Sequence, residues 1–358
     1  MNPLNEIPLI SICIPVYNGA KYLRESLNSA ISQSFSNIEI LIIDDQSSDK
    51  SIDIIFEFME VDSRIKFFQN KQRLGLVENW NQCVKKSNGI WIKFLFQDDI
   101  LSPECISKMV AITKSEHNFK VLFCKREFIF ERDLSINTYA NILKRKQFFW
   151  ELYPKKCVIL PEETINYCTK WLGKNIFGEP PSFMIHKSVF DEYGLFDPNF
   201  KHICDLEYWL RIGVNLKMFF IQETLVKFRV HGNSTTQYNR TKKYYQMRYL
   251  DRVKLFRKFM YDNNYNPIRM EMQNWPNNLY LKTLTAISAR RARLEAKKYQ
   301  NSQWEYEFID LCKQYNDILC LSKTNIVLLA VKYFLSKLSL NIKWILKNFN
   351  ATNFTINI

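Results

Sequence analysis

At 358 residues the chain is long enough for one large α/β domain and an appendage. Its eight glycines form neither G-x-G-x-x-G nor G-x-x-x-x-G-K-[ST], which excludes a dinucleotide fingerprint and a P-loop. Nine cysteines without a C-x-x-C pair, and only four histidines, argue against a structural zinc site and fit a reducing compartment, while a net charge of +14 raises the question of where the excess lies.

The apolar run from Leu9 to Val16 reads as a strand that breaks at Tyr17, Asn18 and Gly19. Leu23, Leu27, Ala30 and Ile31 then recur at helical spacing. A second strand near 38–44 stops at Asp44 and Asp45, with Asp49 close behind. A third strand is expected near 64–69, a helix after Gly75, and a strand over 90–97 that leads into Asp98 and Asp99. Apolar runs near 120–130 and 217–228 supply later strands, and residues 133–176 read as an irregular, aromatic insertion. The sequence opens without a basic start or a long apolar stretch, so no secretory signal is expected in residues 1–20.

Two apolar strands that end at adjacent carboxylates, about fifty residues apart, carry the chemical information. A buried parallel strand delivers its last residues to the carboxyl edge of a sheet, where ligands bind. Paired carboxylates repel unless something positive compensates, and Mg2+ or Mn2+ prefers carboxylate oxygens together with substrate phosphates. A single acidic pair can cap a strand and face water; two at matching strand ends favour one site.

The segments IPVYNG at 14–19, IIDDQSSD at 42–49, GLVENWN at 75–81, FLFQDD at 94–99, GEPPSFMIHKSVFDEYGLFD at 178–197, DLEYWLRI at 205–212 and FRVHGNST at 228–235 occur in the order found in one family. Over residues 9–239 the chain resembles the family-two glycosyltransferases, inverting enzymes that use nucleotide sugars, of the kind found in bacterial surface polysaccharide and lipopolysaccharide biosynthesis. The resemblance implies an α/β GT-A fold, a Rossmann-like mixed sheet with flanking helices. It also implies roles. Pro15, Tyr17, Asn18 and Asp45 match positions that hold the nucleotide, with an aromatic face for the base and a carboxylate for its imide hydrogen. Asp98 and Asp99 match the metal-binding acids, Asp99 as the direct ligand and Asp98 nearer the ribose or donor sugar. Asp205 matches the catalytic base, and Arg229 and His231 match a late motif that closes over the pyrophosphate, His231 as a metal or phosphate contact. Trp171, Glu179 and Pro180 lie where the family builds its acceptor wall, with 133–176 as an acceptor-side insertion.

Some positions admit a plainer reading. His231 can be a turn residue before Gly-Asn-Ser-Thr, and Asn79 and Asn81 can be local capping groups in place of nucleotide contacts. Trp80 and Trp209 are expected in the core. Phe96 stands where many relatives carry an acid two residues before the first Asp of the metal motif. An ordinary Asp has a pKa of about 3.9, so Asp205 is expected to be ionised at neutral pH without further tuning. In-line displacement with a carboxylate at the acceptor and a cation at the phosphates would invert the anomeric centre.

The excess charge is confined to the C-terminal third. Residues 1–239 hold 29 Lys plus Arg and 28 Asp plus Glu, whereas residues 240–358 hold 21 and 8. The pattern there turns helical, so 1–239 is expected as the catalytic domain and 240–358 as a basic helical extension. From Cys320 onward there are five Lys and no acid, with Val331, Leu335, Leu338, Ile342, Ile345 and Phe349 at helical spacing and Lys332, Lys343 and Lys347 on another face. Such a helix can lie on an anionic membrane, is too interrupted by Lys to cross one, or can pack on the domain or a partner. The sequence-based expectation is a cytoplasmic enzyme, peripheral on the inner face of the cytoplasmic membrane, with a nucleotide-sugar donor, a glycan or lipid-linked glycan acceptor, and no nucleic acid. The alternative is a nucleic-acid-binding or nuclease-like protein with a basic tail, disfavoured because the basic residues avoid the acidic half. Uracil and thymine both present an imide, so the donor base stays open between uridine and thymidine.

Overall fold

The structure, a computed structural model, describes residues 9–116, 118–131, 149–152, 155–170, 175–232, 234, 248–272, 279–298 and 302–315. The chain divides into two compact units, residues 1–245 and 246–358.

The first unit begins as the apolar runs predict. Strands β1 (Ile10–Val16) and β2 (Ile38–Asp44) are buried along their whole length, as parallel strands covered on both faces must be. They pair in parallel with each other, β2 with β3 (Ile65–Gln69) and β1 with β4 (Trp91–Phe94), in the order β3-β2-β1-β4. Helices α1 (Ala20–Ile31), α2 (Ser51–Val61) and α3 (Leu76–Lys86) are the crossovers. The α1 helix turns Leu23, Leu27 and Ala30 onto the core cluster that includes Ile12, Ile14, Ile40 and Ile42. Each fully buried leucine there contributes about 1.5–3 kcal/mol over an exposed one.

The strand expected over 90–97 is shorter. β4 ends at Phe94, Leu95 N still reaches Cys13 O at 3.0 Å, and Asp99 N closes a turn on Phe96 O at 3.1 Å. Asp98 and Asp99 therefore sit in a turn, from which β5 (Ile100–Leu101) pairs antiparallel with β9 (Met218–Val230). Apolarity continues through Leu95, past the end of β4, because that side chain is fully buried.

The remaining strands make the sheet mixed. β8 (Phe183–His186) runs antiparallel to both β4 and β6 (Val121–Phe130), β6 runs parallel to β9, and the short β7 (Val158–Ile159) also pairs with β9, giving the order β3-β2-β1-β4-β8-β6-β9-β5. Helices α4 (Cys105–Ser115), α5 (Phe149–Leu152), α6 (Pro161–Lys170), α7 (Lys187–Tyr193) and α8 (Cys204–Gly213) complete the described part of this unit. The expected irregular insertion thus contains α5, β7 and α6; its residues 133–148, 153–154 and 171–174 lie outside the described ones. An aromatic core fills this half: Trp209 stacks on Phe183 at 3.6 Å and Tyr208 on Phe190 at 5.3 Å. Trp80, stacked on Phe96 at 5.0 Å, is buried as expected.

The second unit is helical: α9 (Arg248–Tyr261), α10 (Asn266–Met272), α11 (Leu279–Lys298) and α12 (Ser302–Gln314), with Val253, Phe256, Phe259 and Tyr265 buried. The basic stretch from Cys320 onward lies outside the described residues.

Candidate active site

The carboxyl ends of β1 and β2 form one wall. Pro15 lies beyond the last β1–β4 pair, where its missing N–H breaks no ladder bond to β4. Gln97, directly before the acids, clasps the backbone of Tyr17: Tyr17 N donates to its Oε1 at 2.8 Å and its Nε2 donates to Tyr17 O at 3.1 Å. Gly19 leaves room for this clasp, since a Cβ there would stand 2.5 Å from Gln97 Oε1 and push the amide aside. Asn18, at φ 49°, accepts from Ser48 N at 2.8 Å, and Asp49 caps α1 by accepting from Ala20 N at 3.0 Å. The β1 and β2 ends are thus stapled together through their loops.

Asp45 is almost fully buried and accepts three N–H bonds, from Asn70 Nδ2 (2.9 Å), Leu74 N (2.7 Å) and Gly75 N (2.8 Å). Most of its roughly four lone-pair sites are committed to the 70–75 loop. That loop carries Arg73, whose guanidinium lies over the Tyr17 ring at 4.0 Å from its centre. Arg73 went unread in the sequence; a cation one residue before the Leu-Gly that opens α3 was the available signal. Asn79 donates to Ile43 O at 3.1 Å and accepts from Asn70 at 3.0 Å, and Asn81 makes a two-way bond with the Phe196 backbone. Both asparagines face protein partners.

The second cluster joins the β4–β5 turn to the end of β9. His231 Nε2 lies 2.8 Å from Asp98 Oδ2. Asp99 turns inward: it is wholly buried, one oxygen accepts from Arg229 N at 2.8 Å, and the other meets no hydrogen-bond donor among the described residues. Burial first, and the charge of Asp98 second, push the Asp99 carboxyl well above the usual carboxylate range. Asp98, expected nearer the ribose or donor sugar, is the acid that meets His231, and Asp99, expected as the direct metal ligand, is the one that keeps an orphaned oxygen. Arg229 also donates to Asp98 O (2.9 Å) and to Glu25 (2.6 Å), and lies over Tyr22, whose ring is 4.8 Å from His231.

The third cluster holds the proposed base. Asp205 opens α8, accepting from Leu206 N and Asn175 Nδ2, both at 2.7 Å. Its carboxyl is pushed up to about 7, by burial first and then by the negative charge of Glu179. The expectation of an untuned acid gives way to a carboxyl poised near neutrality, where general bases work best. Glu179 pairs with the buried Arg126 at 2.5 Å, and its charge is felt at Asp99 as well as at Asp205. Gly178, at φ 112°, admits the guanidinium: a Cβ there would be 2.3 Å from Arg126 Nη1. Trp209 Nε1 fixes this turn by donating to Gly178 O at 2.8 Å. Trp171 lies outside the described residues.

The donor set suits a hard divalent cation. An orphaned carboxylate oxygen on Asp99 and the Asp98–His231 pair offer oxygen and nitrogen ligands, and a cation would supply the positive charge that a buried Asp99 lacks. Among the described residues no three acidic, His or Cys groups converge on one point.

Residues 11–194 match Glycosyl transferase family 2, and the chain belongs to that family. An uncharacterised glycosyltransferase of Rickettsia typhi is 29% identical over 232 residues, 64% of this chain and 66% of its own, so the match spans just under two thirds of that relative. One from Haemophilus influenzae is 27% identical over 237 residues, 65% of this chain and 69% of its own. The fold is GT-A: the structure of Staphylococcus aureus TarS residues 1–349, in complex with UDP-GlcNAc, aligns with TM-score 0.55 and 16% identity over 87% of this chain and 81% of that one. Family membership supports the resemblance over the nucleic-acid-binding alternative.

Proposed function

We propose that this glycosyltransferase moves a sugar, with inversion, from a uridine or thymidine diphosphate sugar to a hydroxyl of a glycan or lipid-linked glycan in surface polysaccharide assembly. The observation that carries this reading is Asp205, a carboxyl held at about 7 that shares with Asp99 the influence of the Glu179 charge.

Tyr17 and Arg73 offer stacking faces to the base, and the Asp45-anchored loop 70–75 lines its edge. Arg229 supplies a guanidinium beside the acids for the diphosphate. Asp99 and His231 would hold Mg2+ or Mn2+, completed by substrate phosphates and water, and when bound the cation would neutralise charge on the departing diphosphate. Asp205 takes the proton from the acceptor hydroxyl as that oxygen attacks the anomeric carbon from the face opposite the leaving group, so no covalent intermediate forms on the protein. Glu179 and the neighbouring Pro180 stand on the acceptor side.

Among the described residues no helix is long and apolar enough to cross a membrane. The basic residues beyond Cys320 support peripheral attachment to the anionic inner face of the cytoplasmic membrane, each Lys near such a surface contributing about 1 kcal/mol.

A panel of sugar nucleotides incubated with Mn2+ and with Mg2+, read as nucleoside diphosphate release, tests the reading. Release from one uridine or thymidine donor, lost in Asp205→Asn, is expected. No release from any member, or release indifferent to that substitution, contradicts it.

A further inference from the structure

Asn175 stands at the centre of a small network whose geometry leaves it one orientation. Its Oδ1 accepts from Phe177 N at 3.1 Å and Gly178 N at 2.9 Å, an Asx-type turn. With the oxygen committed to two backbone donors, its Nδ2 must face the other way, and there it donates to Gly178 O at 3.0 Å and to Asp205 Oδ2 at 2.7 Å. The same Gly178 carbonyl accepts from the buried indole of Trp209, one helical turn along from Asp205. The turn is thereby anchored to α8 at two points, and the amide cannot swing away without giving up its bonds to the 175–178 backbone.

Resting on the reading of Asp205 as the base, we infer that Asn175 is its positioning residue: the amide fixes the plane of the carboxylate and leaves the outer lone pairs of both oxygens for the acceptor hydroxyl. Leu206 N holds the other oxygen in the same way. Asn175 also acts against its surroundings. Burial and the Glu179 charge raise the Asp205 carboxyl, whereas the Asn175 and Leu206 bonds favour its ionised form. Of the other charges nearby, Glu179 is itself paired with Arg126, and Glu207 on α8 is tied to Arg211. Asn175 is therefore the side chain that keeps the base available near neutral pH.

The clean variant is Asn175→Ser, whose hydroxyl can still accept from the Gly178 backbone but cannot reach across as an amide donor; Asn175→Ala is the fuller deletion. Two readouts are taken on the full chain: turnover of the active sugar nucleotide against pH, and the titration of the Asp205 carboxyl by carbon-13 NMR, assigned by its loss in Asp205→Asn. The expected result is an upward shift of both the acid limb and the Asp205 titration, on the order of one pH unit, with kcat reduced several-fold at neutral pH and donor KM little changed. An Asp205 titration identical in wild type and Asn175→Ser overturns the inference, even if the variant melts at a lower temperature. The glycosyltransferase reading fails separately: a wild-type chain that turns over no nucleotide sugar refutes that reading, while the NMR titration still decides whether Asn175 acts on Asp205.

Discussion

Asp98 and His231, 133 positions apart, meet at 2.8 Å because the β4–β5 turn and the end of β9 are brought side by side by the short antiparallel pairing of Ile100 with Lys227. A divalent cation at this point would compete with that contact for the same carboxylate oxygen and imidazole nitrogen.

His231→Ala should lower the apparent affinity for Mg2+ or Mn2+ by at least the roughly 10- to 100-fold that loss of a partner to a metal ligand costs. Donor turnover at a series of metal concentrations measures it, and an unchanged half-saturating concentration would remove His231 from the site.

Asp205 predicts a pH profile with a definite sign. The base acts as the carboxylate, so turnover rises with pH through about 7 and falls below it. Asp205→Asn should cut kcat by about 10²-fold or more with donor affinity little altered. In Glu179→Gln the neighbouring negative charge is gone, the Asp205 carboxyl falls, and the acid limb should move to lower pH. A limb that stays put would show that Glu179 does not act on the base.

Tyr17→Ala and Arg73→Ala should each weaken binding of free nucleoside diphosphate, by roughly 1–3 kcal/mol for the aromatic face, and leave the stereochemistry of transfer unchanged. Calorimetric titration checks this; full affinity in both variants would put the base elsewhere.

Arg211 ties α8 to the turn before it, donating to Tyr193 O (2.6 Å), Leu195 O (2.8 Å) and the fully buried Glu207 (2.9 Å). Arg211→Met strands a buried carboxylate and should cost about 3–5 kcal/mol in denaturant unfolding. A loss below 1 kcal/mol would mean that the helix bearing Asp205 is held by its aromatic packing alone.

Truncation after Cys320 should leave turnover of a water-soluble acceptor intact and abolish salt-sensitive co-sedimentation with anionic vesicles. Equal partitioning of the full and shortened chains would assign the basic stretch to packing.

What could be read in advance follows from how each feature is encoded. β1, β2 and α1 were legible because burial on both strand faces and on one helix face leaves unbroken or periodic apolar runs. The end of β4 was not, since Leu95 and Phe96 stay apolar past it and apolarity reports burial. Asp205 was visible by motif, but its elevated carboxyl was not, because that depends on Glu179, Asn175 and the packing around all three. Gln97 acts through the backbone of the distant Tyr17 and Asn175 through the distant Asp205 carboxylate, and no spacing in the sequence announces such bonds.

The central claim, inverting transfer with Asp205 as base, is tested most directly by proton NMR of the product formed from an α-linked uridine or thymidine diphosphate sugar. The account predicts a β-linked product from the wild-type chain and none from Asp205→Asn. An α-linked product, or a β-linked one formed equally well without the Asp205 carboxylate, would contradict it.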